Sequence, residues 1–400
     1  MNYEKILATR TSNIKASAIR ELLKLAANPG LISLGGGLPS PNSFPLDLVM
    51  ELTDKVIKKY GSVALQYDMT EGFTPLRKAL IDYLKEKGIE AKLENVYITS
   101  GSQGFLDAIG KLLISPGDYV AVEGPTYLAA LQAFNAYEAK YLQMQTDDEG
   151  LIPESMEDII NTYPVKFVYV VPTFQNPSGK TIKIKRREQI AEIIKKYDVL
   201  LVEDDPYSAL RYRGEALPTI KSMAPDNVIY ASTFSKIFAP GLRVGFFVAP
   251  EAFGRWMVIV KQGVDLNTCT FTQALATEYL LGGYVPRQVE KIINLYRPKL
   301  ETMLYAMGKF FPEDYTWSKP DGGMFLWVVG PKGMDMEAVS IRSIERGVGF
   351  VPGKFFFPNP NDGIETMRLN FTGVSEEQIR ESIKTLSEVL KEEPELTVIK

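Results

Sequence analysis

Apolar and polar residues follow two recurring patterns along this chain. Short apolar runs that stop at Gly, Pro, Ser, Asp or Asn predict buried strands, and these runs cover residues 96–99, 119–122, 166–171, 199–202, 228–231 and 244–248. Between most of them, apolar residues recur at spacings of three and four, which predicts amphipathic helices such as 46–60 and 75–87. Strands that alternate with helices predict an α/β fold, a three-layer sandwich with a mostly parallel central sheet.

The pattern changes near residue 285, where shorter strands and helices follow one long helix. The predicted elements are, in order, a helix at 285–310, a strand at 324–329, a helix at 336–345, a strand at 367–371 and a helix from Ser375. Pro298 is expected to kink or break the long helix, because proline lacks the amide hydrogen that a helix interior needs. This part of the chain predicts a smaller α+β domain.

Composition excludes several classes of site. The chain has 400 residues, 45% of them hydrophobic, and a formal net charge of −4, which gives no basic footprint for nucleic acid. No apolar stretch approaches the roughly 18 residues of a membrane span, and the first residues do not lead into a signal sequence, so a soluble cytoplasmic protein is expected. The absence of histidine, with Cys269 as the only cysteine, excludes histidine triads, imidazole metal ligands and intrachain disulfides.

The loop after strand 228–231 carries the most informative polar residues. Hydroxyl residues follow the strand directly, Lys236 comes next, and Arg243 follows seven positions later. Such a loop places a lysine at the carboxyl edge of the sheet beside groups suited to a phosphate. A cofactor with both an aldehyde and a phosphate needs that arrangement, whereas a solvated surface loop is the alternative that these residues alone leave open.

Polar clusters also follow other predicted strands. Asn176 follows strand 166–171 and Asp204 follows strand 199–202, and each interval along the chain to the next cluster fits one strand-helix-strand crossover. Residues 100–104 form a glycine-serine turn before a helix, which is typical of an anion site. Because ligands collect at the carboxyl ends of parallel strands, these residues predict one shared site.

Eight short motifs follow one another along the chain: Gly37-Leu38-Pro39, Gln66-Tyr67, Gly101-Ser102-Gln103, Asn176-Pro177-Ser178-Gly179, Asp204-Asp205-Pro206-Tyr207, Ser235-Lys236, Gly322-Gly323-Met324-Phe325 and Arg368-Leu369-Asn370-Phe371. Together they resemble the class I/II aminotransferases that depend on pyridoxal phosphate and have fold type I, most closely their kynurenine/α-aminoadipate branch. The resemblance covers nearly the whole chain. It implies an N-terminal segment 1–45 that covers the active site, a large cofactor-binding domain 46–290 and a small domain 291–400.

The resemblance implies a catalytic role for Lys236, Asp204 and Tyr207. Lys236 would bind the cofactor aldehyde as an imine and later move a proton from the substrate α-carbon. Asp204 would pair with the pyridine nitrogen and keep the ring a good electron acceptor. A helix cap or a metal pair with Asp205 is the structural alternative for Asp204.

Other residues match cofactor contacts of the family. Asn176 and Tyr207 would hydrogen-bond the ring oxygen, and Tyr127 would stack on the ring, although a core aromatic is a real alternative for Tyr127. The residues that match the phosphate site are Ser102, Gln103, Thr233, Ser235 and Arg243. Tyr67 matches a phosphate contact from the neighbouring subunit, so the resemblance implies a homodimer.

Substrate contacts are expected at four positions. Period two in strand 367–371 places Arg368 opposite the apolar residues, where it can bind the substrate α-carboxylate, with a surface salt bridge as the alternative. Gly37 and Asn176 match further substrate contacts. Arg20, on the polar side of a predicted helix at 17–25, is expected to meet an acidic side chain such as that of glutamate or 2-aminoadipate, or else to be a solvated helix charge.

The expected reaction is ping-pong transfer of an amino group from an L-amino acid to a 2-oxo acid such as 2-oxoglutarate. The donor would be 2-aminoadipate, glutamate, or an aromatic or aliphatic amino acid. A lyase or decarboxylase on the same fold remains open, because fold and cofactor do not fix which bond breaks. A regulator domain that binds the cofactor without catalysis is a further alternative, but the resemblance begins by about residue 17 and leaves no room for a DNA-recognition helix.

Overall fold

The structure is a computed structural model that describes residues 1, 3–14 and 30–392. The predicted helix at 17–25, and Arg20 with it, lies outside these residues. The described helices are α1 (Leu46–Tyr60), α2 (Thr74–Lys85), α3 (Gly101–Leu113), α4 (Leu128–Asn135), α5 (Pro153–Thr162), α6 (Ile184–Lys196), α7 (Ile220–Met223), α8 (Glu251–Gln262), α9 (Thr270–Leu281), α10 (Tyr284–Phe310), α11 (Met336–Glu345) and α12 (Glu376–Lys391). Among them, none combines the length and the apolar character that crossing a bilayer requires.

Fifteen strands are described. They are β1 (Ile32–Ser33), β2 (Val96–Thr99), β3 (Tyr119–Glu123), β4 (Lys140–Met144), β5 (Thr146–Asp147), β6 (Gly150–Leu151), β7 (Val165–Val170), β8 (Leu201–Asp204), β9 (Val228–Thr233), β10 (Gly245–Val248), β11 (Thr316–Trp317), β12 (Phe325–Val329), β13 (Val348–Gly349), β14 (Val351–Pro352) and β15 (Thr366–Asn370). Each strand predicted from an apolar run is present, although β8 begins two residues later than expected.

The central sheet has seven strands in the order β2-β10-β9-β8-β7-β3-β4. Its strands run parallel from β9 to β4, whereas β10 is antiparallel to both β9 and β2. The prediction of a mostly parallel sheet is therefore confirmed. β4 escaped the sequence analysis because it is an edge strand whose residues are mostly exposed or half-buried, so it lacks a continuous apolar run.

Alternation along each strand divides the core between the two faces of the sheet. On β9, Ile229 and Ala231 pack into the cluster that also contains Tyr169 of β7, while Tyr230 packs into a separate cluster with α1, α2 and α9. Helices α3 and α4 cover the first of these faces. Period two thus decides which side chains at the strand ends can reach a site on a given face.

A second sheet, with the order β11-β12-β15-β14, packs with α10, α11 and α12. α10 runs without interruption from Tyr284 to Phe310, so a break at Pro298 is wrong, whereas the alternative of a kink stays a prediction. Tyr296 and Leu300 are buried on either side of the proline, so packing holds the helix together where local propensity opposes it. The domain boundary expected at 290/291 falls inside α10 and stays a prediction.

Buried charge ties α9 to α1. The carboxylate of Glu278 is 1% exposed and accepts hydrogen bonds or ion pairs from Lys55, Lys59 and Tyr60, with the closest atoms 2.7 to 2.8 Å apart. Burial alone would raise the pKa of Glu278, but these three partners outweigh it and lower the pKa to about 2.

Candidate active site

Loops at the carboxyl edge of the central sheet surround a cavity of about 1720 Å³. Twelve of the fourteen residues predicted for the site line this cavity: Gly37, Ser102, Gln103, Tyr127, Asn176, Asp204, Tyr207, Thr233, Ser235, Lys236, Arg243 and Arg368. Tyr67 does not line it and is 77% exposed. Arg20 lies outside the described residues.

Lys236 lies in the turn that follows β9, and its Nζ donates a hydrogen bond to the carbonyl oxygen of Gly37 at 3.2 Å. Burial lowers the pKa of Lys236, and the positive charges of Arg368 and Arg243 lower it further, to about 8. An amine with this pKa is more often neutral at neutral pH than an ordinary lysine, so it can act as a nucleophile or a base.

Asp204 is the last residue of β8 and is 1% exposed. Its Oδ2 accepts a hydrogen bond from the hydroxyl of Tyr169 at 2.8 Å, while its Oδ1 has no hydrogen-bond partner among the described residues. Burial raises the pKa of Asp204 to about 7 and the hydrogen bond from Tyr169 opposes that rise. A buried carboxylate oxygen without a partner fits a ligand that donates a hydrogen bond.

The neighbouring Asp205 bonds to different groups. It accepts hydrogen bonds from Tyr230 at 2.8 Å and from Ser208 at 2.6 Å, and Lys87 lies 3.6 Å away. The two carboxylates therefore do not form a pair. Within residues 1, 3–14 and 30–392, no group of three acidic or cysteine side chains has a geometry that could hold a metal ion.

An anion cradle lies where α3 begins beside the loop after β9. Ser102 is in the first turn of α3, and its Oγ has no partner within the described chain. Thr233 and Ser235 join their hydroxyls at 2.9 Å, and Arg243 Nη2 donates to the carbonyl of Ser100 at 3.2 Å. A helix N-terminus with hydroxyls and a guanidinium is the donor set that a phosphate requires.

Gly101 makes this cradle possible. Its φ of +69° lies in the left-handed region, and a Cβ at this position would lie 2.5 Å from Nη2 of Arg243. Any other residue would displace the guanidinium from the helix N-terminus.

Arg368 is buried rather than part of a surface salt bridge. Its two terminal nitrogens donate to Oδ1 of Asn176 at 2.8 Å and to the carbonyl of Gly35 at 2.7 Å, while Nε has no partner among the described residues. The guanidinium lies between the rings of Phe325 and Phe356, 4.4 and 4.9 Å from their centroids. Burial lowers the pKa of Arg368 to about 10, so it stays charged at neutral pH.

Two tyrosines line the wall of the cavity between Asp204 and Arg368. Burial raises the pKa of Tyr127 to about 12 and also raises that of Tyr207, so both remain neutral hydroxyls. The ring of Tyr207 meets that of Phe325 edge to face at 5.9 Å. Both can therefore donate a hydrogen bond, and Tyr127 offers an aromatic surface for stacking.

Sequence reasoning missed two residues that shape this site. Tyr169 lies inside an apolar run, where nothing in the sequence separates it from the core, and Phe356 belongs to a run of three phenylalanines far from every motif. Each contributes to the site through a contact with a residue distant in sequence: Tyr169 contacts Asp204, and Phe356 contacts Arg368.

The donor set as a whole fits pyridoxal phosphate. A half-buried lysine, a carboxylate with a free oxygen and a phosphate cradle share one cavity with a buried arginine that can take a carboxylate. No single one of these features would suffice, because each also occurs in ordinary protein cores.

Comparison with known proteins points the same way. A family model described as aminotransferase class I and II matches residues 36–386. Aromatic-amino-acid aminotransferase 1 of Thermococcus litoralis is 46% identical to the chain, over 98% of this chain and 96% of that protein. The 2-aminoadipate transaminase of Thermus thermophilus is 37% identical over 98% of each. The crystal structure of Pyrococcus horikoshii kynurenine aminotransferase, in complex with PMP, KYN as substrates and KYA as products, is 45% identical, with a TM-score of 0.94 over 98% of both chains.

Proposed function

The chain belongs to the class I and II aminotransferases, the family that its motifs predict, and we propose from its cavity which residues carry the reaction and which substrates it takes. The reaction is pyridoxal-phosphate-dependent transamination, in which an amino acid gives up its amino group and a 2-oxo acid receives it. The observation that carries the residue assignment is the meeting of Lys236, Asp204 and Arg368 in one cavity.

The cofactor is held at both ends in this proposal. Lys236 would hold its aldehyde carbon, Asp204 would pair with its ring nitrogen, and Asn176 and Tyr207 would contact its ring oxygen. The residues that hold its phosphate are Ser102, Gln103, Thr233, Ser235 and Arg243, and Tyr127 covers the ring. When bound, pyridoxal phosphate supplies an aldehyde for the substrate amine and a ring that withdraws electrons from the substrate α-carbon. The free oxygens of Asp204 and Ser102 support this placement, because buried polar atoms in proteins rarely lack a partner.

Lys236 is the proton-transfer group. Once the substrate amine has replaced it on the aldehyde carbon, the freed Nζ would take the proton from the substrate α-carbon. The chain has no histidine that could do this instead. The positive charges of Arg368, which we assign to the substrate carboxylate, and of Arg243, which we assign to the phosphate, both lower the pKa of Lys236. They disfavour permanent protonation of the amine, and a pKa of about 8 still leaves it basic enough to accept a proton.

Arg368 binds the α-carboxylate that every amino acid and 2-oxo acid carries. Its guanidinium is fixed by Asn176, by the carbonyl of Gly35 and by two aromatic rings, so little freedom is lost when a carboxylate binds. The unpartnered Nε is a further donor for that carboxylate. Gly37 lines the cavity and, having no side chain, would contact the substrate through its backbone.

We infer that aromatic amino acids and 2-aminoadipate are the donors and that 2-oxoglutarate is an acceptor. Relatives with these names are 46% and 37% identical to the chain. Tyr127, Phe355 and Phe357 line the cavity and supply flat apolar contacts for an aromatic side chain. Glutamate and aliphatic amino acids are further candidates, and selection of acidic side chains by Arg20 remains a prediction from the sequence.

A homodimer completes the site in this proposal, with Tyr67 reaching the phosphate of the partner subunit. Large apolar side chains around it, among them Leu65 and Met69, are more than half exposed, which is unusual unless a second copy covers them. A mixture of Tyr67→Phe and Lys236→Ala chains tests this, since a mixed dimer would contain one intact site and regain activity.

A cytoplasmic location is also proposed.

The decisive experiment is a panel of amino acids assayed with 2-oxoglutarate, together with borohydride reduction of the loaded protein. Transfer of the amino group to 2-oxoglutarate, with reduced cofactor found by mass spectrometry on Lys236 and none in Lys236→Ala, supports the proposal. Release of ammonia or carbon dioxide would instead indicate a lyase or decarboxylase. A cofactor adduct on any other lysine would contradict the residue assignment.

A further inference from the structure

Two tyrosine–aspartate pairs lie next to each other in the central sheet. Tyr169 on β7 donates to Asp204, and Tyr230 on β9 donates to Asp205, both at 2.8 Å and both from rings that are completely buried. The pairs lie on opposite faces of the sheet, because Tyr169 packs into the core cluster on the cavity side and Tyr230 into the cluster beneath α1 and α2. Only Asp204 lines the cavity.

The two carboxylates differ in how many partners they have. Asp205 has Ser208 and Lys87 in addition to its tyrosine. Asp204 has Tyr169 alone within the described chain, which leaves Oδ1 free at the cavity. Tyr169 therefore fixes the rotation of this carboxylate and determines which oxygen faces the ligand.

We propose that Tyr169 is a positioning residue of the transaminase: it favours the ionised form of Asp204 and turns the carboxylate so that Oδ1 meets the ring nitrogen of the cofactor. The inference rests on the role proposed above for Asp204 and adds the group that makes that role effective. Tyr169 touches neither substrate nor cofactor in this scheme and acts only through the carboxylate.

The electrostatic reason lies in the burial of Asp204. A carboxylate removed from water holds its proton more tightly, and burial brings the pKa of Asp204 up to about 7, so it can compete with a weakly basic pyridine nitrogen for one proton. A hydroxyl that donates to the carboxylate stabilises its ionised form and so leaves the proton on the nitrogen. Of the groups that act on Asp204, Tyr169 is the one that favours ionisation, whereas Asp205 opposes it.

Tyr169→Phe separates this role from packing. The ring of Tyr169 meets Phe134 edge to face at 5.9 Å, a contact that phenylalanine retains, so the substitution removes only the hydroxyl. Tyr230→Phe is the matched control, because it removes the equivalent hydrogen bond, to Asp205, from an equally buried ring on the opposite face of the sheet. Replacement of Tyr169 by 3-fluorotyrosine keeps the shape and makes a stronger donor.

The readout is the 15N NMR shift of the ring nitrogen in protein loaded with 15N-labelled pyridoxal phosphate, measured at neutral pH. In Tyr169→Phe, the ratio of protonated to neutral nitrogen should fall about tenfold, the factor that one hydrogen bond to a charged group supports. The 3-fluorotyrosine protein should show the same or a larger protonated share than the parent. In Tyr169→Phe, kcat should fall by up to the same factor while KM for the amino acid changes less than about twofold, because Arg368 is untouched.

The possible results distinguish a failure of the inference about Tyr169 from a failure of the role proposed for Asp204. A changed nitrogen shift in Tyr169→Phe with an unchanged shift in Tyr230→Phe supports the inference. Equal shifts in the parent and Tyr169→Phe, or equal displacement in both variants, overturns it and leaves the role of Asp204 intact. A neutral ring nitrogen in the parent protein overturns the role of Asp204 as well. Should Tyr169→Phe fail to fold, a 3-fluorotyrosine protein with a smaller protonated share than the parent overturns the inference by itself.

Discussion

Chemical labelling of the cofactor-free protein should find the amine of Lys236 reactive at a pH far below the range ordinary for lysine. The lowered pKa of Lys236 has two physical causes in the structure. Burial disfavours the charged form, and Arg368 and Arg243 add two positive charges around the amine. Together they lower the pKa of Lys236 from 10.5 to about 8.

The size of the effect follows from the neutral fraction. At pH 7 an amine with a pKa near 8 is about 10% neutral, whereas one at 10.5 is about 0.03% neutral, a difference of roughly 300-fold in the form that can attack an aldehyde. The protein therefore supplies at neutral pH a nucleophile that free lysine offers only in strongly basic solution.

Competitive labelling with a trace of acetic anhydride, followed by mass spectrometry of each lysine peptide, measures this directly. Lys195, exposed on α6, serves as the internal reference for the reagent. The labelling rate of Lys236 should rise with a midpoint near pH 8 in the parent and at a higher pH in Arg368→Gln, because removing a positive neighbour restores the charged amine. A midpoint above about pH 10 in the parent, or no displacement in the variant, would refute the reasoning.

Two further predictions concern stability and cofactor affinity. Glu278→Gln should lower the free energy of unfolding at pH 7 by about 3 kcal/mol, since the pKa of Glu278 falls from 4.5 to about 2 on folding. The loss should shrink as the pH falls from about 4.5 towards 2, where the parent carboxylate is protonated; in denaturant titrations the exposed Glu290→Gln should show neither effect. Gly101→Ala should weaken pyridoxal phosphate binding at least tenfold by displacing Arg243. Gly308→Ala, where a Cβ meets nothing within 4 Å, should leave the dissociation constant unchanged, and equal constants for both variants would count against the cradle.

The convergence of Asn176, Asp204 and Lys236 could be predicted from sequence because of a general property of parallel sheets. β7, β8 and β9 are neighbours that run in the same direction, so the polar residue after each strand emerges at one edge. Apolar runs marked the strands, and the polar clusters that ended them marked the edge. The shared site could therefore be predicted from the spacing of these residues along the chain, without knowledge of side-chain positions.

The supporting contacts could not be predicted in the same way. A buried strand is apolar on both faces, so the sequence of β7 does not tell which of its residues faces a neighbouring carboxylate. The direction of β10 could not be predicted either, because an apolar run looks the same in a parallel and in an antiparallel strand. The aromatic ring of Phe356 reaches Arg368 only because β14 and β15 pair, a contact that no local pattern encodes.

The charge of the cavity connects the separate parts of the site. Among its described lining residues there are five basic side chains and two acidic ones, an excess of three positive charges. A bound phosphate group carries about −1.5 to −2 at neutral pH and a substrate carboxylate carries −1, so cofactor and substrate together nearly balance that excess. Asp205 does not enter this count, because it does not line the cavity; it pairs with Lys87 instead. In the proposed arrangement Asp204 is the carboxylate at the ring nitrogen. The excess positive charge of the cavity would then attract two anionic ligands, the phosphate towards Arg243 and the substrate carboxylate towards Arg368.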